Sequence, residues 1–234
     1  MSLAYAFQSQ RVVVIGGSSG IGRGVALAAK AQGAEVVVLG RSAKATDGLR
    51  AIAADIANPA SLARAFAEIG QIDHLVITAG ARVGSSKLAD LTSTDLELTY
   101  QIKLFGALYA IQAALPYLAP TASITLTSGL LSRKFGAGNL LKSTANAAVE
   151  AAGKSLAKEL APRRVNVISP GVIDTELWGE AGSEQRTATM ARIGAGLPVS
   201  RVGQTDDIAA AYLLVMQNGF MTGAVVDVEG GGLL

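Results

Sequence analysis

Short apolar runs are the feature that most constrains how this chain folds. Arg11–Ile15 and Glu35–Leu39 consist almost entirely of β-branched and other apolar residues, without alternation between polar and apolar positions. Strands of this kind are buried on both faces, which is typical of a parallel sheet covered by helices on each side. Helical patterns separate the runs, as right-handed βαβ connections require. We therefore predict an α/β fold with a doubly wound parallel sheet of about seven strands.

The whole chain, residues 1–234, is predicted to form a single domain because it contains no internal repeat, low-complexity tract or linker. Long helices are expected over Asp95–Leu118 and Ser143–Leu160. One long irregular region, at about residues 170–200, follows a strand's carboxyl end, where such an excursion covers the ligand crevice and serves as a substrate lid. The seven expected strands are Arg11–Ile15, Glu35–Leu39, Leu49–Ala54, His74–Thr78, Ser123–Ser128, Val165–Ser169 and Ala224–Val228.

Composition excludes several classes of protein. The net charge is only +2 and no cluster of Lys and Arg occurs, which argues against nucleic-acid binding. The absence of cysteine excludes disulfides, thiolate catalysis and cysteine-ligated metal, and His74, the single histidine, cannot form a multi-histidine metal site. Met1–Gln10 lacks the pattern of a signal peptide, and no apolar stretch reaches the ~20 residues of a membrane helix. We expect a cytoplasmic protein with no bound metal and no membrane contact.

A glycine-rich turn links the first expected strand to the first expected helix. Residues 16–22 read GGSSGIG, the spacing G-x-x-x-G-x-G. Gly16 permits a tight turn, Gly20 lets the backbone approach a pyrophosphate, and Gly22 lets the helix pack close to the sheet. The helix then offers free N–H groups and a positive dipole end to the phosphates. The turn therefore predicts a dinucleotide site, whose further contacts are Ser18, Ser19 and Ile21.

The end of the second strand predicts which cofactor binds. A carboxylate at this place binds the ribose 2′-hydroxyl and repels a 2′-phosphate. Here the residues are Arg41 and Ser42, which can clamp a phosphate instead, so we expect NADP(H) in preference to NAD(H). A solvated arginine at a strand end is the alternative. Asp55 and Ile56 follow the third strand and are expected to meet the adenine edge, unless Asp55 is simply an exposed loop residue.

With these residues and three further segments, the chain resembles the short-chain dehydrogenase/reductase family over essentially its whole length. The further segments are Thr78-Ala79-Gly80, the stretch from Val165 through Ser169-Pro170-Gly171 to Thr175, and Val228-Glu229-Gly230-Gly231. The resemblance implies an oxidoreductase that acts on a carbonyl or alcohol of a small molecule, and a homo-oligomer, either a dimer or a tetramer. It also implies that the cofactor is bordered by Ala79, Gly80, Pro170, Gly171, Ile173 and Thr175.

The chain departs from that family at the catalytic positions. The family's tyrosine, in a Tyr-x-x-x-Lys pair, exchanges a proton with the substrate oxygen, and its lysine holds the ribose and lowers the tyrosine pKa. Ser128 matches the family's serine, and Lys103 falls where an asparagine is usual. Lys142 takes the tyrosine position and Asn146 the lysine position. The register is anchored by the match at residues 147–150, and no tyrosine occurs between residues 117 and 212.

This departure leaves three hypotheses. In the first, the chain is an enzyme in which Lys142, with a pKa lowered by burial or by Lys103, protonates a substrate oxygen held by Ser128. In the second, the chain binds NADP(H) without catalysis, as a redox sensor or partner subunit. In the third, Tyr100 reaches the site from the preceding helix, although an aromatic residue on a helix is more often part of the core.

Arg41→Ala should weaken NADPH binding and leave NADH binding nearly unchanged. The expected loss is about 1.5–3 kcal/mol, because the substitution removes a charge-assisted hydrogen bond to the 2′-phosphate. Calorimetric titration of parent and variant with both cofactors measures this difference. Equal affinities for NADPH and NADH in the parent would contradict the assignment.

Overall fold

A seven-stranded, entirely parallel sheet forms the centre of the protein, as a computed structural model shows for residues 7–80 and 84–234. The spatial order of its strands is β3-β2-β1-β4-β5-β6-β7. Residues 1–6 lie outside the described residues. They are part of Met1–Gln10, the segment in which no signal peptide is expected. The strands are β1 (Arg11–Ile15), β2 (Glu35–Gly40), β3 (Arg50–Ala53), β4 (Ile72–Ile77), β5 (Leu118–Thr127), β6 (Arg164–Pro170) and β7 (Val225–Val228).

Helices cover both faces of this sheet, as the apolar strands require. Along β1, Val13 and Ile15 face one apolar cluster, whereas Val12 and Val14 face the other. The first cluster contains residues of α2 (Pro59–Ile69), α4 (Gly106–Ala114) and α5 (Leu140–Glu159), and the second contains residues of α1 (Gly20–Ala31) and α7 (Thr205–Gln217). The predicted doubly wound α/β fold is confirmed.

The helix expected over Asp95–Leu118 is present from Ser93 to Ala114, but it ends earlier than expected and contains a π turn. Helix α3 (Ser93–Tyr100) passes into a π-helical turn at Gln101–Phe105 and then into α4, which ends at Ala114. Gly106 packs tightly against Ile56, so the π turn accommodates the helix where it approaches the neighbouring loop. Leu118 already belongs to β5, where it is buried and pairs with Ile72.

The excursion at residues 170–200 is more regular than expected. It contains a 3₁₀ turn at Glu176–Trp178 and a twelve-residue helix, α6 (Glu184–Ala195). The helix buries Met190, and Gly194 packs closely against the backbone at Arg201 and Val202. A single buried methionine gives only a weak apolar period, which is why the sequence pattern did not indicate this helix.

The order of the strands places a crevice between β1 and β4. Strand β1 pairs with β2 on one side and with β4 on the other, so the connections leave in opposite directions at this point. Ligands of open α/β sheets bind at such a switch point, outside the carboxyl ends of the strands. Within residues 7–80 and 84–234, no helix is both long enough and apolar enough to span a membrane.

His74 lies near the amino end of β4, away from the crevice at the carboxyl ends of the strands, and is a buried structural residue. Its Nδ1 is 2.7 Å from Ser123 Oγ and its Nε2 is 2.9 Å from Gln10 Oε1. A neutral ring suits both partners, because Nε2–H donates to the amide oxygen and Nδ1 accepts from the hydroxyl. Burial lowers the pKa of His74 to about 4.

His74→Gln should remove a source of acid sensitivity. The unfolded chain takes up a proton on His74 near pH 6.5, whereas the folded chain does so only near pH 4, so the stability that the neutral ring contributes is lost as the pH falls between these values. We expect the parent to lose up to about 3 kcal/mol more than the variant over this interval. Urea unfolding at the two pH values measures the difference, and identical losses would contradict the buried neutral state.

Candidate functional site

The glycine turn brings β1, α1 and β4 into close contact. A Cβ on Gly22 would overlap the carbonyl oxygen of Gly16 and the hydroxyl of Thr78. The backbone N–H of Gly16 donates to Leu39 O at 2.8 Å, which ties the start of the turn to the end of β2. Gly20 has φ +51°, in the left-handed region that favours glycine. The turn therefore has the tight geometry and close helix–sheet packing that a dinucleotide cradle needs.

The amino end of α1 binds an anionic oxygen of the protein itself. The backbone N–H of Gly20 donates to a carboxylate oxygen of Glu176 at 3.0 Å. The N–H of Gly20 at the helix terminus is therefore not used within the helix, and a phosphate oxygen of a dinucleotide would accept from the same donor. Ser19, the residue before α1, has extended backbone angles, and its side chain makes no capping bond to the helix.

Arg41 and Ser42 lie exposed at the carboxyl end of β2. Arg41 makes no hydrogen bond or ion pair with any described residue, so its guanidinium has no partner there that a phosphate would have to replace. Ser18 of the glycine turn is close by, because a Cβ on Gly40 would lie 3.3 Å from Ser18 Oγ. The chemistry of this donor set, one guanidinium and two hydroxyls without a carboxylate among them, fits a 2′-phosphate.

The other residues expected to border the cofactor follow the ends of β3, β4 and β6. Asp55 is only partly exposed, and its carboxylate accepts from the backbone N–H of Ala57 at 3.0 Å, so it shapes the loop in addition to any role towards adenine. Thr175 lies against Gly20, 3.5 Å from where a Cβ would be. Ile56, Ile173, Thr175 and Pro170 are buried. Ala79 and Gly171 are partly exposed, and Gly80 is exposed.

Ser128, directly after β5, is held by a carboxylate that the sequence analysis missed. Its hydroxyl donates to Glu150 Oε1 at 2.9 Å, and the hydroxyl of Ser132 donates to the same oxygen at 2.7 Å. Glu150 lies on α5 four residues after Asn146 and eight after Lys142, a spacing that places all three on one helix face. That spacing was the signal that could have identified Glu150.

An arginine neutralises this carboxylate. Arg133 Nη2 is 3.3 Å from Glu150 Oε1, and the guanidinium also binds Asp227 of β7 through both terminal nitrogens. The same Nη2 donates to Ser169 Oγ of β6 at 3.0 Å. The hydrogen bond to Asp227, together with the nearby charge of Glu150, raises the pKa of Arg133 above its ordinary value. The network connects the ends of β5, β6 and β7 with α5, and it fixes the Ser128 hydroxyl.

Lys103 reaches the same place from the π-helical turn. Its ammonium donates to the backbone carbonyl of Ser128 at 3.1 Å. Burial lowers the pKa of Lys103 to about 8, because a charged ammonium loses most of its hydration there. Single π turns recur at functional sites, and this one carries a cation with a pKa close to neutrality onto the peptide that follows β5.

Lys142 and Asn146 lie further along the face of α5. Lys142 donates to Ser85 Oγ at 3.0 Å, and the structure brings Ser128 together with Glu150 rather than with Lys142. Lys142 and Glu150 are separated by eight residues, about 12 Å along a helix. Asn146 is 8% exposed and lies against Gly129, with its side-chain nitrogen 2.9 Å from where a Cβ would be. It makes no side-chain hydrogen bond with any described residue.

Tyr100 does not reach Ser128. Its hydroxyl donates to Thr144 Oγ1 of α5 at 2.7 Å, and Thr144 is an exposed residue. The hydroxyl is therefore directed towards the outer flank of α5. The hypothesis that Tyr100 replaces the missing tyrosine finds no support in this geometry.

Comparison with known proteins assigns this arrangement to one family. The family model described as enoyl-(acyl carrier protein) reductase matches residues 15–232. A short-chain dehydrogenase/reductase of Acremonium sp is 33% identical over 254 residues, covering 97% of this chain and 96% of the relative. A relative from Stachybotrys chlorohalonatus with the same description is 32% identical over 250 residues, covering 97% and 98%.

Solved structures give the same result. The crystal structure of a small-chain dehydrogenase in complex with NADPH is similar with a TM-score of 0.85 and 40% identity, covering 96% of this chain and 98% of that one. The ligand-free aldohexose dehydrogenase of Thermoplasma acidophilum has a TM-score of 0.90 and 26% identity, covering 98% and 96%. Both similarities extend over nearly the whole length of the compared chains.

Lys103→Met should remove a pH-dependent cost of folding. Lysine titrates near pH 10.5 when unfolded but near 8 at this site, so the unfolded chain holds more protons between these values. Below pH 8 the full cost of burying the charge remains, and it disappears as the pH rises to 10.5. Over this interval the free energy of unfolding of the parent should rise by up to about 3 kcal/mol relative to the variant. Urea unfolding measures both proteins, and parallel pH dependence would contradict the lowered pKa.

Proposed function

We propose that this chain, which belongs to the short-chain dehydrogenase/reductase family, is an NADP(H)-dependent oxidoreductase that interconverts a carbonyl and an alcohol at an altered active site. The observation that carries the proposal is the lysine cation, with a pKa near neutrality, that the π turn places against Ser128. A site that had lost its function would gain nothing from keeping a buried charge, which costs stability.

NADP(H) is the cofactor that the described residues fit. Gly20 already binds a carboxylate oxygen through its N–H, and Arg41, Ser42 and Ser18 form a donor set without a carboxylate. A small-chain dehydrogenase with 40% identity to this chain was solved with NADPH, which supports the same choice here. When bound, the cofactor would supply or accept a hydride; the protein's own residues must then manage the proton.

Ser128 contributes an acceptor to the substrate rather than a donor. A serine hydroxyl has one hydrogen, and Ser128 gives it to Glu150, so only its lone pairs are left to face the cleft. These lone pairs can accept from the O–H of an alcohol, or from a lysine ammonium that also donates to the substrate oxygen. The donor to a carbonyl oxygen must therefore be another group.

The two lysines supply that donor and the missing ribose contact. Lys142 stands at the family's proton-donor position, and its ammonium is bound only by the hydroxyl of Ser85 among the described residues. Exchanging that hydroxyl for a substrate oxygen costs little, because one hydrogen bond from the ammonium to an uncharged oxygen replaces another. Lys103 and Asn146 both approach the backbone at Ser128 and Gly129, so Lys103 can offer an ammonium in place of the family's lysine.

A second function, NADP(H) binding without catalysis, is favoured by one observation. The hydroxyl of Ser128 and the ammonium of Lys142 have separate partners, Glu150 and Ser85, instead of meeting each other. A redox sensor or partner subunit would keep the nucleotide turn and tolerate this separation. Activity measurements distinguish the two functions.

We also propose that the protein is a homo-oligomer of two or four subunits. Leu96 and Leu98 of α3, Phe105 of the π turn and Leu108 of α4 are exposed apolar side chains, and α5 adds the small exposed residues Ala147 and Ala151. Apolar residues on neighbouring helices are typical of subunit interfaces. The cytoplasmic location stays a prediction.

Lys142→Met should lower reductase activity with NADPH at least tenfold, about 1.4 kcal/mol of barrier, because methionine keeps the length of the side chain and removes the proton. The double variant Lys142→Tyr with Asn146→Lys restores the family's pair and should keep or raise the activity. Initial rates with a panel of aldehydes and ketones measure both. Lys154→Met is the matched control, since Lys154 is an exposed lysine on the same helix, and its activity should equal that of the parent.

If the parent shows no turnover of NADPH and only the restored variant does, the catalytic function is wrong. The chain is then a nucleotide-binding protein on a dehydrogenase fold.

A further inference from the structure

Glu176 occupies the anion-binding end of the nucleotide turn. Its carboxylate accepts the Gly20 N–H at 3.0 Å, and the same oxygen lies 3.7 Å from where a Cβ on Gly20 would be. The contact joins two segments that are 156 residues apart in the chain. A carboxylate and a phosphate oxygen compete for the same N–H group and the same positive helix end.

We propose that Glu176 is an internal competitor of the cofactor's pyrophosphate, and that its displacement sets the affinity for NADP(H). The inference rests on the proposed binding of NADP(H). The carboxylate holds the turn while no nucleotide is bound, and the pyrophosphate must expel it. A carboxylate that is displaced but stays nearby still repels the two phosphate charges. Removing the charge of Glu176 therefore strengthens nucleotide binding whether the side chain stays at Gly20 or moves away.

The surroundings of Glu176 allow such a displacement. A pocket of about 260 Å³ lies beside the contact, and its lining includes Gly20, Arg23, Glu176 and Arg186. The carboxylate therefore has space to leave Gly20, beside two arginines that are already paired with Asp47 and Asp174. Arg186 is fixed by Asp174, with its Nε 2.7 Å from Asp174 Oδ1, so this part of the pocket persists when Glu176 moves.

The fluorescence of Trp178 can report the displacement of Glu176. Glu176 and Trp178 belong to the same 3₁₀ turn, and Trp178 is the only tryptophan of the chain. The indole is 38% exposed, and its Nε1 donates to Ile173 O at 3.1 Å. Trp178 follows Glu176 by two residues, so displacing this carboxylate changes the electrostatic environment of the indole.

Glu176→Gln tests the inference, because glutamine keeps the size of the side chain and removes its charge. A carboxylate at an exposed helix terminus contributes a modest free energy, which corresponds to about two- to fivefold in affinity, so NADP⁺ should bind to the variant tighter by about this factor. Glu180→Gln is the matched control, since Glu180 is an exposed carboxylate of the same segment; it should bind NADP⁺ as the parent does. Calorimetric titration measures the dissociation constants.

Adenosine 2′-monophosphate separates the two halves of the site. It carries the phosphate expected at Arg41 but has no pyrophosphate, so parent and Glu176→Gln should bind it equally and without a change in Trp178 emission. NADP⁺, which does not absorb the emission of tryptophan, should shift the emission of the parent.

The inference is overturned if Glu176→Gln leaves the NADP⁺ affinity unchanged, or if NADP⁺ binds the parent without altering Trp178 emission. Either result leaves the proposed function intact. Binding of NADP⁺ by neither protein overturns both, whereas binding by the variant alone supports the inference in its strongest form.

Discussion

A parallel sheet that is apolar on both faces is stable only when helices cover each face, and this requirement determines where the polar groups of the protein can lie. Val12 to Ile15 alternate between two separate apolar clusters, so neither face of β1 has room for a functional group. Polar side chains are instead collected at the carboxyl edge, where the strands end and the loops begin. The nucleotide turn, Arg41 and Ser128 all follow strands at this edge.

We propose that at that edge two lysines and a partly buried carboxylate take the place of the phenol and the lysine of the family. Burial of Lys103 lowers its pKa to about 8, and the partly buried carboxylate of Glu150 is compensated by Arg133 and two serine hydroxyls. Removing Arg133 would leave the carboxylate of Glu150 without a compensating charge, so Arg133, Glu150 and the two serines act as a unit. In this proposal Ser128 faces the cleft as an acceptor, and a lysine donates the proton.

The fold and the nucleotide turn were predictable from the sequence because both depend on local patterns. An apolar run such as Arg11–Ile15 indicates a buried strand by itself, and the glycine spacing has meaning only between a strand and a helix. The π turn at Gln101–Phe105 was missed because such a turn has no distinct residue pattern. The contacts of Glu150 and Glu176 were missed because their partners lie far away in the chain, Glu176 meeting Gly20 across 156 residues.

A crystal structure of the complex with NADPH tests the central claim most directly. We predict that a terminal nitrogen of Arg41 binds the 2′-phosphate. We also predict that the ammonium of Lys103 or Lys142 lies at hydrogen-bond distance, about 2.7–3.2 Å, from a hydroxyl of the nicotinamide ribose or from the place of the substrate oxygen. A complex in which both ammonium groups keep only Ser85 and the Ser128 carbonyl as partners would contradict the claim that lysines have replaced the family's catalytic pair.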